Sequence, residues 1–418
     1  LVNFSLADLN RSVAHMVDGF KPSQRKIMFA CFKRNMKNET KVAQLASIAA
    51  EVSSYHHGEV SMADTIVKLA QNYMGSNNIN LLEPIGQFGT RLLGGKDSSA
   101  TRYIFTKLSQ IAREMFDPLD DPTLKYLDDD GKSIEPEFYV PRLPMILING
   151  SEGIGTGFSC YVPPFNPDDI KANILNILNG KSVTPMTPWF KGFKGKITKD
   201  DDNTWIASGI YNNGVITELP PGRWTQDFKE HLESLVEKKI ITNYKNDSTT
   251  DDVRFEVKGY SGKNPVKDFK LNKSIHTSNM HLFHPTKGIK KYNTAEDILV
   301  DFVEIRLEYY KKRKNHMIKA LTEREILLSN KYRFINMVIE GEIVVFRKPK
   351  ATLEAELATL DFAKIDDSYD YLMNIKTYQY TEEAVKSLTE ECKNIKIEIT
   401  TLKGTTIIDM WKSDILKC

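Results

Sequence analysis

The sequence predicts an α+β, multidomain chain, and three patterns predict it. Between residues 1 and 143 three short amphipathic segments precede a glycine-rich loop and a β-prone tetrapeptide, the order of a winged helix-turn-helix. From 144 to 291 apolar and β-branched runs alternate with turn residues and are interrupted by helical periods, which describes an α/β sheet domain. From 292 to 418 long apolar-periodic segments flank a mixed middle, the pattern of an antiparallel coiled coil with a helical tip. A chain of 418 residues is too long for one core and has room for all three.

Lys21-Pro22-Ser23 opens the first helix, because proline at the first helical position loses no hydrogen bond. Ile27, Cys31 and Phe32 then face a core, and Arg25, Lys26, Lys33 and Arg34 are expected outside as a basic face. Val42, Leu45, Ala46, Ala49 and Val52 mark a second helix, and Met62, Ile66, Leu69 and Tyr73 a third. The β-branched and aromatic Tyr103-Ile104-Phe105-Thr106 predicts a short strand carrying Tyr103, followed by a helix over Ser109–Phe116. Asp117–Ser133 reads as an acidic loop, and its Asp128-Asp129-Asp130-Gly131 lacks the full spacing of a calcium loop.

Pro144–Ile148 is expected to be a buried strand leading into the glycine-rich Asn149–Gly157. A dinucleotide reading of that loop fails on spacing, and Pro163-Pro164 stands where the phosphate-binding helix should run. Helices are predicted over Asp168–Asn179 and Phe228–Lys239, with strands at Gly195–Thr198, Thr204–Ala207, Gly214–Leu219 and Val253–Val257. Lys267–Met280 interleaves basic and hydroxyl residues, Lys270 and Lys273 among them, as suits contacts to a nucleic-acid backbone. Val385, Leu388, Cys392, Ile395, Ile399 and Leu402 step 3,4,3,4,3 and define a coiled-coil seam, whose partner is expected in Ile298–Tyr332. Phe334–Tyr380 between them is expected to form a compact tip with a hairpin-like Glu342–Lys348, and Lys311–Lys314 a solvated helix face or, alternatively, the lining of a nucleic-acid cavity.

Net charge is only +2, but residues 1–113 hold 14 Lys/Arg against 8 Asp/Glu, and Lys21–Lys41 holds seven basic residues against Glu39 alone. A local basic surface for nucleic acid follows. Cys31, Cys160, Cys392 and Cys418 show no Cys-x-x-Cys spacing, which fits free thiols in a reducing compartment and argues against a zinc site. No apolar run approaches the ~18 residues of a membrane span. Leu1 begins in mid-pattern, as an excised piece of a longer protein would.

The chemistry is expected in Gly86–Phe105. Four glycines in ten residues let a backbone approach a ligand closely, and Arg91, Lys96 and Arg102 make the loop cationic, a setting for phosphate. A phenol with an ordinary pKa near ~10 is a poor nucleophile at neutral pH unless a neighbouring cation stabilises its anion and the transition state. Arg102 beside Tyr103 supplies one. Gly-x-Phe-Gly-Thr-Arg at 86–91, Gly-Gly-Lys-Asp at 94–97 and Ala-x-Arg-Tyr-Ile at 100–104 resemble the catalytic loop of type IIA DNA topoisomerases, in their eukaryotic topoisomerase II spelling. Tyr-His-His-Gly-Glu at 55–59, Asp18-Gly19-Phe20-Lys21-Pro22-x-Gln24-Arg25-Lys26 and Glu-Gly-Ile-Gly-Thr-Gly at 152–157 resemble the same family.

The resemblance covers essentially the whole chain. It implies a nucleophilic Tyr103 that becomes linked to a DNA 5′ end, Arg102 as transition-state stabiliser, and Ile154 as a wedge that bends the duplex. It implies DNA contacts for Lys21, Arg25, His56, His57, Arg91, Lys96, Lys270 and Lys273. It further implies winged-helix (1–143), tower (144–291) and coiled-coil exit-gate (292–418) domains, a homodimer, double-stranded DNA as partner, and no membrane. Mg²⁺ and ATP are implied as cofactors, yet no Glu-Gly-Asp-Ser-Ala, no corresponding Asp-x-Asp and no phosphate-cradling ATPase sequence is present. Metal-binding and ATPase domains are therefore expected in cis or in trans, and no metal ligand is assigned here. The implied compartment is the nucleus, with a viral factory or virion as the alternative. A non-catalytic DNA clamp with coiled-coil arms is the competing reading, and it has no use for the Arg102-Tyr103 pair.

Overall fold

The computed structural model describes residues 8–55, 58–155 and 158–417. By its internal packing the chain divides into two compact units, residues 1–307 with 412–418, and residues 308–411.

In the first unit, Pro22 starts helix α1 (Pro22–Lys33), and the Lys21 backbone N–H donates to the Gln24 side chain at 2.9 Å to tie off its first turn. Ile27, Met28, Ala30, Cys31 and Phe32 of α1 are buried against α2 (Val42–Val52) and α3 (Glu59–Ala70), whose Leu45, Ala49, Met62 and Ile66 complete the cluster. Thr40–Lys41 pairs antiparallel with Phe105–Thr106. The stretch expected to be an acidic loop is more ordered than that. Its first part is a 3₁₀ turn, Pro118–Thr123, and its second enters a hairpin of Tyr126–Asp129 with Lys132–Pro136. Asp130 and Gly131 at the hairpin's end both have positive φ (50° and 80°), the two-residue turn that suits the twist of paired strands.

The apolar Met145–Asn149 is a buried helix rather than the expected strand. It leads into a hairpin of Ser151–Gly155 with Phe158–Val162, in which Gly153 pairs with Cys160 and Ile154 with Ser159. Helix Pro167–Leu178 follows, capped by the Asn166 side chain, which accepts from the Asp168 N–H. Two antiparallel sheets come next. One has the order Asn272–His276, Thr204–Ser208, Lys196–Asp201, and the other Asn243–Asn246, Phe255–Lys258, Val215–Glu218, Ile210–Asn212. Helix Thr225–Glu237 buries Phe228, Leu232 and Leu235 with Ile216, Phe255 and Phe269 of the second sheet's domain. A last hairpin joins Met280–His284 to Gly288–Tyr292.

A 45-residue helix, α4 (Ala295–Ile339), has its first turns in the first unit and continues through the second. Within the second unit it runs antiparallel to α5 (Glu382–Gly404). Lys314 Nζ donates to the carbonyls of Lys403 and Thr405 (3.0 and 2.7 Å), while Arg324–Glu391 and Lys396–Glu325 pair further along. Val385, Leu388, Cys392, Ile399 and Leu402 are half-buried and Ile395 is buried, so the 3,4,3,4,3 positions are the protected ones. Lys311–Lys314 is not the uniformly solvated face expected. Arg313 is buried with its guanidinium 4.7 Å from the Tyr310 ring, and Tyr310 stacks on the buried Trp411. The tip has its own core of Phe334, Ile343, Leu353, Leu357, Phe362 and Leu372, and residues 342–348 are irregular rather than a hairpin. No helix of the described residues is long and apolar enough to cross a membrane.

Candidate active site

The loop from Gly86 to Tyr103 is fixed along its length by polar bonds that its own sequence supplies. Asp97 accepts from the Thr90 N–H (2.9 Å) and hydroxyl (2.6 Å), Gln71 Nε2 donates to the Phe88 carbonyl, and Ser99 N–H donates to the Gln87 carbonyl. The glycines were expected to bring backbone to a ligand, but they bring it to the protein. Gly94 has φ +61°, and a Cβ there would collide with the Trp224 ring. Thr225 and Gln226 N–H groups donate to the Arg91 and Leu92 carbonyls, so the loop is stitched to the start of the Thr225–Glu237 helix.

Arg91 corrects a second expectation. It is only 3% exposed, and its guanidinium pairs with Glu218 at 2.6 Å and donates to the Asp251 carbonyl. It is a tie between loop and sheet rather than a cation turned to a ligand. Arg25 is likewise not on the outer face of α1. Buried at 7% exposure, it grips both oxygens of Asp18 (2.7 and 3.0 Å) and the Phe20 carbonyl. Asp18 also accepts from the Tyr139 N–H, which makes this a buried cross-link of three segments.

What the rigid loop presents is different. Ala100–Tyr103 forms a turn closed by Tyr103 N–H donating to the Ala100 carbonyl, and the strand begins only at Phe105. Tyr103 therefore sits on the turn before the strand, not on it. Its side chain is 66% exposed, and the Arg102 guanidinium lies 4.8 Å from the ring centroid. Lys96 is exposed on the same loop. The bonds from Val42 N–H to the Ile104 carbonyl and from Ala43 N–H to the Thr101 carbonyl anchor both sides of the turn to α2.

The second exposed feature is Ile154, 78% exposed near the end of its hairpin strand. Such exposure rules out a place for Ile154 in the core. Gly153 beside it has no room for a Cβ, which would strike the Ser12 carbonyl, so the strand lies flat against the backbone at Ser12 while Ile154 stands exposed. Lys21 Nζ donates to the Glu152 carbonyl at 2.6 Å, joining the start of α1 to this hairpin, and burial holds its ammonium below the usual lysine range. Lys273 Nζ donates to the Pro221 carbonyl at 2.9 Å and is depressed by burial in the same way. Lys270 is exposed, in a left-handed backbone conformation (φ 49°). His56 and His57 lie outside the described residues.

A family model for the A-type chain of DNA gyrase/topoisomerase IV matches residues 11–416. The chain belongs to this family. It is 40% identical over 467 residues to a DNA topoisomerase 2 of Plasmodium falciparum (isolate K1 / Thailand), covering 100% of this chain and 33% of that protein. To the Homo sapiens DNA topoisomerase 2-alpha it is 43% identical over 469 residues, covering 99% of this chain and 31% of the relative. It thus spans about a third of the length of these relatives. A crystal structure of the Plasmodium falciparum topoisomerase II DNA-binding, cleavage and re-ligation domain superposes with a TM-score of 0.91 at 40% identity, over 100% of this chain and 62% of that one.

In this member of the gyrase/topoisomerase IV family, a resident metal finds no holder among the described residues. No three acidic, histidine or cysteine side chains converge there, and the charged group against the Tyr103 ring is the Arg102 guanidinium. The described residues do not fit a bound Mg²⁺. The positioning residues Asp97, Gln71, Trp224 and Glu218 were not foreseen from the sequence. Only Asp97 carried a local signal, an acidic side chain seven positions from Thr90 in a turn-rich loop.

Proposed function

We propose that this chain is the DNA cleavage and religation core of a type II DNA topoisomerase. It has winged-helix (1–143), tower (144–291) and coiled-coil exit-gate (292–418) regions, and makes a transient double-strand break through which a second duplex passes. Tyr103 Oη attacks a backbone phosphorus, the new P–O bond links the tyrosine to the 5′ end, and the 3′ oxygen leaves as a hydroxyl. The phenolic proton passes to solvent, and the departing 3′ oxygen takes one up from solvent. Religation is the reverse, and because one ester replaces another it needs no outside energy. Arg102 meets the charge that develops on the phosphorane-like centre. Ile154 opens a base step, at a cost of a few kcal/mol, and bends the duplex onto more protein.

The observation that carries this reading is the exposed Tyr103 beside Arg102 on a loop held down along its length. Lys96 and Lys270 are free for phosphate contacts, whereas Arg25 and Arg91 act by holding elements in place. A C2 dimer belongs to the proposal. The tip exposes Phe346 (81%) with Val344 and Ile339, an apolar patch that a second copy would cover. Mg²⁺ and ATP belong to parts supplied in cis or in trans, so this chain alone should bind duplex and cleave it negligibly. The competing DNA-clamp reading has no role for a nucleophile. Denaturing gels of labelled duplex, with a metal-holding region supplied, separate the two. A protein-linked 5′ end that is absent from Tyr103→Phe supports cleavage, and equal adduct in both proteins refutes the assignment.

A further inference from the structure

A cavity of about 300 Å³ opens in the first unit between α1, the 3₁₀ turn Pro118–Thr123 and the hairpin of Tyr126–Asp129 with Lys132–Pro136. None of the residues assigned to cleavage or to DNA contact lines it. Its walls are rings. Phe32 and Tyr139 meet edge to face with centroids 5.3 Å apart, and Phe29 and Tyr126 are tilted at 6.4 Å. Tyr139 is only 3% exposed, yet among the described residues its hydroxyl has no hydrogen-bond partner, which a buried phenol ordinarily finds. Burial pushes that hydroxyl far above the ordinary phenol range, so it stays an O–H and can donate.

Charge narrows the occupant. Aromatic walls would suit a cation, but the protein's own cations already cover two of the rings, the Arg113 guanidinium 4.1 Å from the Phe32 centroid and Lys33 Nζ 5.3 Å from that of Phe29. Asp121 pairs with Arg113 at 3.1 Å. Lys33, exposed at the end of α1, has no carboxylate at ion-pair distance among the described residues. The lining thus sets two cations against one carboxylate and leaves one buried donor over. A monoanion matches that surplus, whereas a phosphate monoester carries ~1.5–2 charges at neutral pH and exceeds it. A volume of about 300 Å³ is at the small end for ligand pockets and has room for one ring with a compact acid group. We propose that this cavity binds a single-ring aromatic carboxylate, its ring packed against the aromatic walls and its carboxylate held by the Lys33 ammonium and the Tyr139 hydroxyl. The site shares no residue with the Gly86–Tyr103 loop and stands independently of the reading of this chain as a cleavage core.

The test titrates the 418-residue chain with benzoate by calorimetry at low salt, and saturable binding is expected. Benzamide, which keeps the ring and loses the charge, should bind about tenfold more weakly or worse, and cyclohexanecarboxylate, which keeps the charge and loses the aromatic face, roughly threefold more weakly. Tyr139→Phe removes a hydroxyl with no partner in the protein, so it should melt like the wild type while its benzoate affinity falls about tenfold. Lys33→Gln, at an exposed position, should weaken benzoate about threefold, and Lys37→Gln, exposed but outside the cavity, should leave it unchanged. Absence of saturable benzoate binding by the folded chain overturns the site, as does equal affinity in Tyr139→Phe and wild type. Should Tyr139→Phe not fold, Lys33→Gln decides, and a loss no greater than that of Lys37→Gln overturns it equally. Phenyl phosphate bound more tightly than benzoate, and released by Lys33→Gln, would assign the cavity to phosphate monoesters and refute the carboxylate.

Discussion

In the loop at 86–95 a glycine lets backbone close onto Trp224, while in the hairpin at 151–155 a glycine lets backbone lie on Ser12 so that the next residue stands clear. The two arginines of the Gly86–Tyr103 loop divide in the same manner. Arg91 is buried against Glu218, and eleven residues later Arg102 is exposed against the ring of Tyr103. A residue type common to both stretches thus does different work according to whether a partner lies within the protein. Groups with internal partners set positions, and those without are left for a substrate. The comparison makes a measurable division: changes at Arg91 or His15 should be felt in stability, and changes at Arg102 or Ile154 in function.

The largest effect is expected at Arg91. Its removal leaves the Glu218 carboxylate, which is fully buried, without its charge partner, and breaking a buried pair costs about 3–5 kcal/mol. Arg91→Ala should shift the urea midpoint accordingly. A loss below about 1 kcal/mol would place Arg91 with the substrate-facing groups and break the comparison.

His15 comes next. It stacks on Phe138, and burial holds its pKa down to about 4, with Asp18 raising it and Arg25 and His284 lowering it further. The folded state keeps the ring neutral, while the unfolded chain takes up a proton near pH ~6.5. Its contribution is therefore whole above that pH and is lost as pH falls from about 6.5 through 4, roughly 3 kcal/mol in all. Between pH 7 and 4.5 the wild type should lose more stability than His15→Gln, and parallel profiles would show that His15 titrates freely.

How much of this is legible in the sequence follows from the range of the interactions. The helix at Pro22 and the seam from Val385 to Leu402 depend on neighbours within a few residues, so period and proline position suffice. Met145–Asn149 is too short for its apolar run to tell helix from strand, and the strand expected there is a helix. Asp130-Gly131 carries a two-residue hairpin signal that the surrounding acidic residues hide. Charge alone is a local cue, and it puts Arg25 and Arg91 on the outside. Their partners lie 7 and 127 residues away in sequence, and no periodicity reports that. Motif words single out Tyr103, Arg102 and Ile154, and the fold leaves all three exposed.

Arg102 tests the functional side. An exposed side chain whose neighbour is an equally exposed ring contributes little to folding, so Arg102→Ala should stay within about 0.5 kcal/mol of wild type. With a metal-holding region supplied, its single-turnover cleavage should slow by ~10² or more, as for loss of a preorganised charge stabiliser. Equal losses of duplex affinity and rate would make it a binding residue.

The smallest stability change should accompany Ile154→Ala. At 78% exposure the side chain makes few internal contacts, and Gly153 rather than Ile154 holds the strand against Ser12, so unfolding should move by no more than about 0.5 kcal/mol. Its effect should appear in the DNA instead. A wedge keeps a base step open only if it fills the gap, and alanine's methyl is too short, so the duplex should relax toward straight. End-labelled duplex bound to this chain reports this as a longer distance between its dyes. Were that distance unchanged while affinity held, bending would have to come from backbone contacts alone, and Ile154 would be an exposed side chain without a function.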